Sequence, residues 1–296
     1  MGDADSIPKL QMAPRLSSEQ LADRYRREQR LVENARERAL DGSLEGFRVG
    51  SVRYLNAAPL TRGIEDEIIF DTPRRLAERL RSNELDAGLV SVVEALFNEG
   101  YKVLDGVGVC SLGEVYSVVL VHRIPLEDIT TIHCDTASLT SVELLRILLA
   151  EKGISASFEA LDSYDSVDAH EAVLLIGNPA IDFRRKQAGE LKIWDLGAAW
   201  YDLTALPFVY AMWVLKPKED LPRLCRQLRE AKEFGVDTLD QVIRSRTEYD
   251  RDFRQDYLGW HIHYHVASDE RRGLARFVEL LRKHSKKQVF EPIFVS

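Results

Sequence analysis

From residue 47 onward, short apolar runs alternate with stretches of helical period, and the alternation predicts the elements of an α/β fold. Runs at 47–52, 68–71, 86–90, 102–109, 117–121, 129–134, 158–161, 172–176, 192–196 and 208–215 predict strands. Pro73 opens a predicted helix that ends near Asn83, and a second begins near Ser91. Ser138 or Thr140 starts an amphipathic helix through Leu149, and everything beyond Glu219 reads as helical. Such alternation gives parallel or mixed sheets covered by helices and leaves the number of sheets open. Upstream, residues 1–14 are polar. Ser17 or Ser18 caps a predicted helix from about Glu19 to Leu40, rich in arginine and glutamate.

Composition narrows the function classes. With 296 residues, 45% of them hydrophobic, the chain can support two lobes with cores of their own. A net charge of -8 with no long basic stripe argues against a nucleic-acid partner. No run approaches the ~18 apolar residues of a membrane span, and no apolar leader precedes a small-residue cleavage site. A soluble cytoplasmic protein without a membrane partner is therefore expected. Cys110, Cys134 and Cys225 lack paired metal spacing and fit free thiols in a reducing compartment. His261, His263 and His265 would share one face of a strand, whereas on a helix only His261 and His265 align. No cysteine or carboxylate cluster follows them at ligand spacing, so no metal is expected. Nor is a cofactor, because the chain has no glycine-rich phosphate loop or nucleotide fingerprint. The arginine-rich helix reads either as a solvated extension or as a docking element for a partner or a second copy of the chain.

The polar positions that carry chemistry sit where strands end. Arg53-Tyr54-Leu55-Asn56-Ala57-Ala58-Pro59-Leu60 follows the first apolar run, and Pro59 fixes φ where a helix can begin. Asn56 thus stands at the carboxyl end of a strand, where open α/β folds collect ligands. Its amide either reads a hydroxyl or carboxylate without carrying charge or simply caps the next helix. In Asp135-Thr136-Ala137-Ser138-Leu139-Thr140-Ser141, three hydroxyls cluster at a helix start. Ser138, Thr140 and Ser141 are more than a cap requires and suit a ligand carboxylate without a buried arginine. Ser91 offers a hydroxyl to a second carboxylate, or is a plain N-cap. The Gly177-Asn178 turn closes a further strand. Among Trp194, Trp200, Tyr201, Phe208, Tyr210 and Trp213, most read as core, with Trp200 or Tyr201 left to touch a ligand ring.

The stretch from Tyr54 to Leu60 resembles the opening of the chorismate dehydratase family of the futalosine route to menaquinone, the MqnA type. Further blocks recur in order, so the resemblance runs from about Phe47 to about Phe277. They are Gly113-Glu114-Val115-Tyr116-Ser117, the 135–141 run, Leu175-Ile176-Gly177-Asn178, Asp195-Leu196-Gly197 and Leu206-Pro207-Phe208-Val209-Tyr210-Ala211. The resemblance implies an α/β fold of the periplasmic-binding-protein type, two lobes on a two-stranded hinge with the ligand between them. Residues 47–122 and 212–296 would form lobe one and 123–211 lobe two, with hinge strands near 121–123 and 211–214. Residues 1–46 would be a partly helical N-terminal extension.

The same resemblance implies a lyase that removes water from chorismate with no cofactor and no metal. Asn56 and Ser117 would be catalytic. Tyr54, Ser91, Ser138, Thr140, Ser141, Gly177 and Asn178 would surround the substrate. Three positions depart from the family pattern: Asn178 replaces the usual aspartate, Ala199 a common glutamate, and Ala205 the usual glycine. An amide cannot take a proton at neutral pH, so a carboxylate of the substrate itself is the expected base. Two alternatives share the fold: a non-catalytic cytoplasmic sensor or carrier, and the sister enzyme that forms 1,4-dihydroxy-6-naphthoate. Tyr54-Leu55-Asn56 and Ser138-Leu139-Thr140-Ser141 place the chain with the dehydratases rather than the sister enzyme.

Overall fold

Two mixed sheets, each flanked by helices, organise the chain from Leu40 to Ser296 in a computed structural model that describes residues 18–135, 139–186 and 191–296. The first sheet contains β1 (Val49–Ser51), β2 (Ile68–Phe70), β3 (Ala87–Ser91) and β4 (Lys102–Ser111). The second contains β5 (Val118–His122), β6 (Thr131–Cys134), β7 (Ser157–Ala160), β8 (Ala172–Ile176) and β9 (Lys192–Asp195). The chain then returns to the first sheet with β10 (Phe208–Leu215), β11 (His263–His265) and β12 (Ile293–Val295). The first sheet has the order β11-β4-β10-β3-β1-β2, with β12 beside β4, and the second has β7-β6-β8-β5-β9. β1 runs parallel to β2 and β3, whereas β10 lies antiparallel between β3 and β4. In the second sheet, β6 is parallel to β7 and β8, and β5 is antiparallel to β8 and β9.

The apolar runs without alternation are the central strands. Every residue of β5 and of β8 is buried, as expected of strands covered on both faces. The helix Pro73–Arg81 starts with Pro after the Thr72 cap and buries Leu76 and Leu80, one turn apart. Gly235 lets the helix Leu221–Asp237 lie directly on the turn Leu55–Leu60. A Cβ there would stand 1.9 Å from the Pro59 carbonyl oxygen. That close approach fixes the backbone that carries Asn56.

Several expected boundaries move. Val118–His122, assigned to lobe one from the sequence, pairs wholly in the second sheet, and Phe208–Leu215 lies wholly in the first. The chain therefore passes between sheets around residues 112–117 and again through the helix Leu196–Thr204, not along shared strands at 121–123 and 211–214. Apolar content marks both runs as strands but does not name their partners. The region after Glu219 is not all helix, since β11 and β12 add to the edge of β4. The N-terminal extension ends at Ala39 rather than residue 46, because Leu40, Leu44 and Phe47 enter the main core. Before that point the helix Ser18–Leu40 forms a unit of its own, with an exposed Asp23–Arg26 ion pair.

Candidate active site

A cavity opens between the two sheets. One wall is the end of the first sheet, with Asn56, Leu89, Ser91, Val109, Tyr210 and Ala211. The other brings Val115, Ser117, Val118, Ser141, Ile176 and Gly177. Its place between the two sheets is where small-molecule sites commonly form. Among the described residues, its lining contains no Asp, Glu, His, Lys or Arg. Its polar groups are one amide, serine hydroxyls, two phenols and the backbone.

Asn56 and Ser117 stand on opposite walls, and Ser117 is held by a third residue. The Tyr257 hydroxyl donates to Ser117 Oγ at 2.7 Å. Tyr257 and Ser117 are both fully buried, while Asn56 is half-buried at the cavity wall. Tyr257 begins a five-residue π-helical turn, Tyr257–His261, a local irregularity common at functional sites. Burial raises its phenol well above the usual tyrosine range, so it stays a proton donor. Sequence reasoning missed Tyr257. A tyrosine two positions before a glycine in a helical pattern is not a specific signal, and only the π turn aims it at Ser117.

Ser117 is presented by a strained turn. Its N–H donates to the Val115 carbonyl at 2.8 Å, and Tyr116 between them has φ +66°, the rare form of a γ-turn. Asp195 holds that turn: its carboxylate accepts from the N–H groups of Val115 (3.0 Å) and Tyr116 (2.8 Å). It also caps the helix Leu196–Thr204 through Gly197 and Ala198, and pairs with Arg184 at 3.2 Å. The Arg184 guanidinium stacks on the Tyr116 ring 3.9 Å from its centroid. Gly177 N–H donates to the Ser117 carbonyl at 2.7 Å, which joins the turns ending β8 and preceding β5.

The other expected residues divide. Tyr54 lines the cavity and lies against Gly177, where φ is +68° and a Cβ would press to 3.2 Å from the ring. Burial first, and then the Asp135 carboxylate, push the Tyr54 phenol up to about 12. Asp135 itself accepts from Tyr164 at 2.8 Å. Ser141 and Ser91 line the cavity. Thr140 does not: it is buried, its hydroxyl bonds that of Ser91, and it accepts from the Val93 N–H at 3.2 Å. Ser91 Oγ in turn accepts the Thr140 N–H at 2.8 Å. The two helix starts thus cap one another across the cleft, which removes Thr140 from the substrate contacts expected of it. Ser138 lies outside the described residues.

Asn178 opens the helix Asn178–Lys186 but is not part of the cavity lining, and neither is Ala199. Ala205 is not part of it either, so all three departures from the family pattern lie outside the cavity lining. Trp200 is core, donating to the Pro207 carbonyl at 3.1 Å, and Tyr201 is exposed. Of that aromatic group it is Tyr210 that lines the cavity, its hydroxyl bonded to Ser111 at 3.0 Å. The three histidines separate: His261 ends the π turn against the Glu114 carbonyl, His263 pairs with Glu270, and His265 meets Lys232. Among the described residues no group of three potential ligands is placed to hold a metal, and no helix is long and apolar enough to cross a membrane. The three cysteines are buried free thiols.

Fold and cleft together define a two-lobed α/β protein of the periplasmic-binding-protein type. Solved structures agree on the fold. A protein from Archaeoglobus fulgidus matches with a TM-score of 0.65 at 18% identity, covering 80% of this chain and 97% of that one. The periplasmic aliphatic sulphonate binding protein SsuA of Escherichia coli matches at 0.55 and 15% identity, covering 84% and 93%. Sequence comparison is more specific. Residues 47–283 match the family model described as menaquinone biosynthesis. The chorismate dehydratase of Thermus thermophilus is 32% identical over 258 residues, 79% of this chain and 95% of that protein. The chorismate dehydratase of Campylobacter jejuni is 26% identical over 230 residues, 76% of this chain and 89% of that protein. The chain belongs to the menaquinone-biosynthesis chorismate dehydratase family, and its activity is of the lyase type.

Proposed function

We propose that this protein eliminates water from chorismate to give 3-[(1-carboxyvinyl)oxy]benzoate. The observation that carries the reading is a cleft with no charged side chain among its described lining residues, where an amide, Asn56, and a hydroxyl, Ser117, stand on opposite walls. Elimination needs a base for the C3 proton and a donor for the departing C4 hydroxyl. Because the lining holds no carboxylate, imidazole or amine among the described residues, a carboxylate of the substrate takes the C3 proton. The C–H electron pair becomes the new ring double bond, the C4–O bond breaks, and the hydroxyl leaves with that proton as water. Asn56 and Ser117 hold the substrate and hydrogen-bond the leaving oxygen. Ser91 and Ser141, at opposite walls, face the substrate carboxylates. Aromatisation supplies the driving force, and the apolar walls strengthen each hydrogen bond by excluding water.

Incubation of the Asn56→Ala and Ser117→Ala proteins with chorismate tests the assignment, with mass spectrometry as the readout. Each is expected to lose roughly 100-fold or more in kcat, the share of a well-placed donor. Full turnover by either variant would remove that residue from the mechanism.

A further inference from the structure

Tyr257 lies behind the Asn56–Ser117 pair and is not among the residues lining the cavity. A phenol has one proton, and the proton of Tyr257 is directed at Ser117 Oγ, 2.7 Å away. Ser117 Oγ, once it accepts from Tyr257, has its own proton to place. The protein acceptor in reach is the Val115 carbonyl at 3.5 Å, the outer limit of a hydrogen bond. The phenol ring is clamped by Phe253, stacked at 5.6 Å and 9°.

We infer that Tyr257 is a positioning residue for the dehydration: its hydroxyl, donating to Ser117 Oγ, turns the Ser117 proton onto the departing hydroxyl of the substrate. The inference rests on the reading of the reaction given above and adds to it the group that sets the donor's direction. Without the phenol hydroxyl, Ser117 is free to rotate, so the reacting geometry is populated only part of the time. Ground-state binding, which depends on the cavity walls and the helix starts, is unaffected.

Tyr257→Phe keeps the ring, its stack on Phe253 and the cavity volume. Its kcat for chorismate is expected to fall roughly 10–100-fold while KM stays within about threefold. In the Ser117→Ala background the same change is expected to cost no more than about a further twofold, because the residue it acts through is gone. 3-Fluorotyrosine at position 257 retains the hydroxyl as a stronger donor and should keep at least about half of wild-type kcat. Melting temperatures of all variants identify any loss of fold. A Tyr257→Phe enzyme within about twofold of wild type overturns the inference, as do losses that multiply fully with Ser117→Ala. A 3-fluorotyrosine protein as impaired as the phenylalanine variant also overturns it. Wild-type protein that fails to convert chorismate overturns the reaction and the inference together, so the two failures are distinct.

Discussion

Ala205 stands at φ +54°, ψ +27°, just past the helix Leu196–Thr204, where its N–H closes onto the Tyr201 carbonyl at 2.7 Å. This is the left-handed position that usually takes glycine, and the family pattern has glycine there. Ala205→Gly is therefore expected to stabilise the protein by about 0.5–1 kcal/mol, the left-handed penalty less the extra chain entropy of glycine, read as a shift in denaturant midpoint. Asp86 gives the opposite kind of residue effect. Burial pushes its carboxyl up, but hydrogen bonds from the Arg48 side chain and backbone and from Lys218 outweigh it and hold the carboxyl at about 2. A carboxyl lowered on folding stabilises above its unfolded value of 3.8 and loses that contribution as pH falls toward 2. Asp86→Asn should cost about 1–2 kcal/mol at pH 7, after allowance for the half-exposed Arg48, and the difference from wild type should shrink between pH 4 and 2. Asn56 and Ser117 were legible in the sequence because each sits in a motif at a strand end. Tyr257 was not, because its role comes from one proton directed across 140 positions of chain.

At the scale of elements, the starts of the helices Val92–Phe97 and Leu139–Glu151 cap one another through Ser91 and Thr140. The first follows a strand of one sheet and the second a strand of the other, so the exchange ties the two lobes. Thr140→Val removes the bridging hydroxyl and leaves the Val93 N–H without its acceptor. It should raise chorismate KM by roughly 5–10-fold with a smaller effect on kcat, measured by steady-state kinetics. The turn holding Ser117 depends likewise on Asp195, which accepts N–H groups from two elements at once. The Ser-Thr cluster was visible before the fold was known, yet Thr140 bonds a serine across the cleft and is not among the cavity-lining residues, since hydroxyl spacing does not reveal what lies across a cleft. Strands β11 and β12 escaped notice for a related reason. Each is three residues long and exists through pairing with β4, not through its own propensity.

At the scale of the whole molecule, an acidic chain encloses a cleft whose described walls carry no charged side chain. Its phenols are held protonated: Tyr54 up to about 12, and Tyr210 and Tyr257 above the usual tyrosine value, each chiefly by burial. With no protein group there titrating near neutrality, kcat should be flat from about pH 6 to pH 9 and fall only as substrate carboxylates protonate near pH 4. The alternation of strands and helices announced the α/β class, and the ordered motifs announced the family. The sheet membership of Val118–His122 had to come from the structure, because an apolar strand carries no label for its neighbour. The central claim is that this neutral cleft dehydrates chorismate without a base of its own. The most direct test follows purified wild-type protein with chorismate by mass spectrometry across that pH range. The expected result is a product lighter by one water, formed at a rate independent of pH. No product, or a rate limb with a pKa near 7, would contradict it.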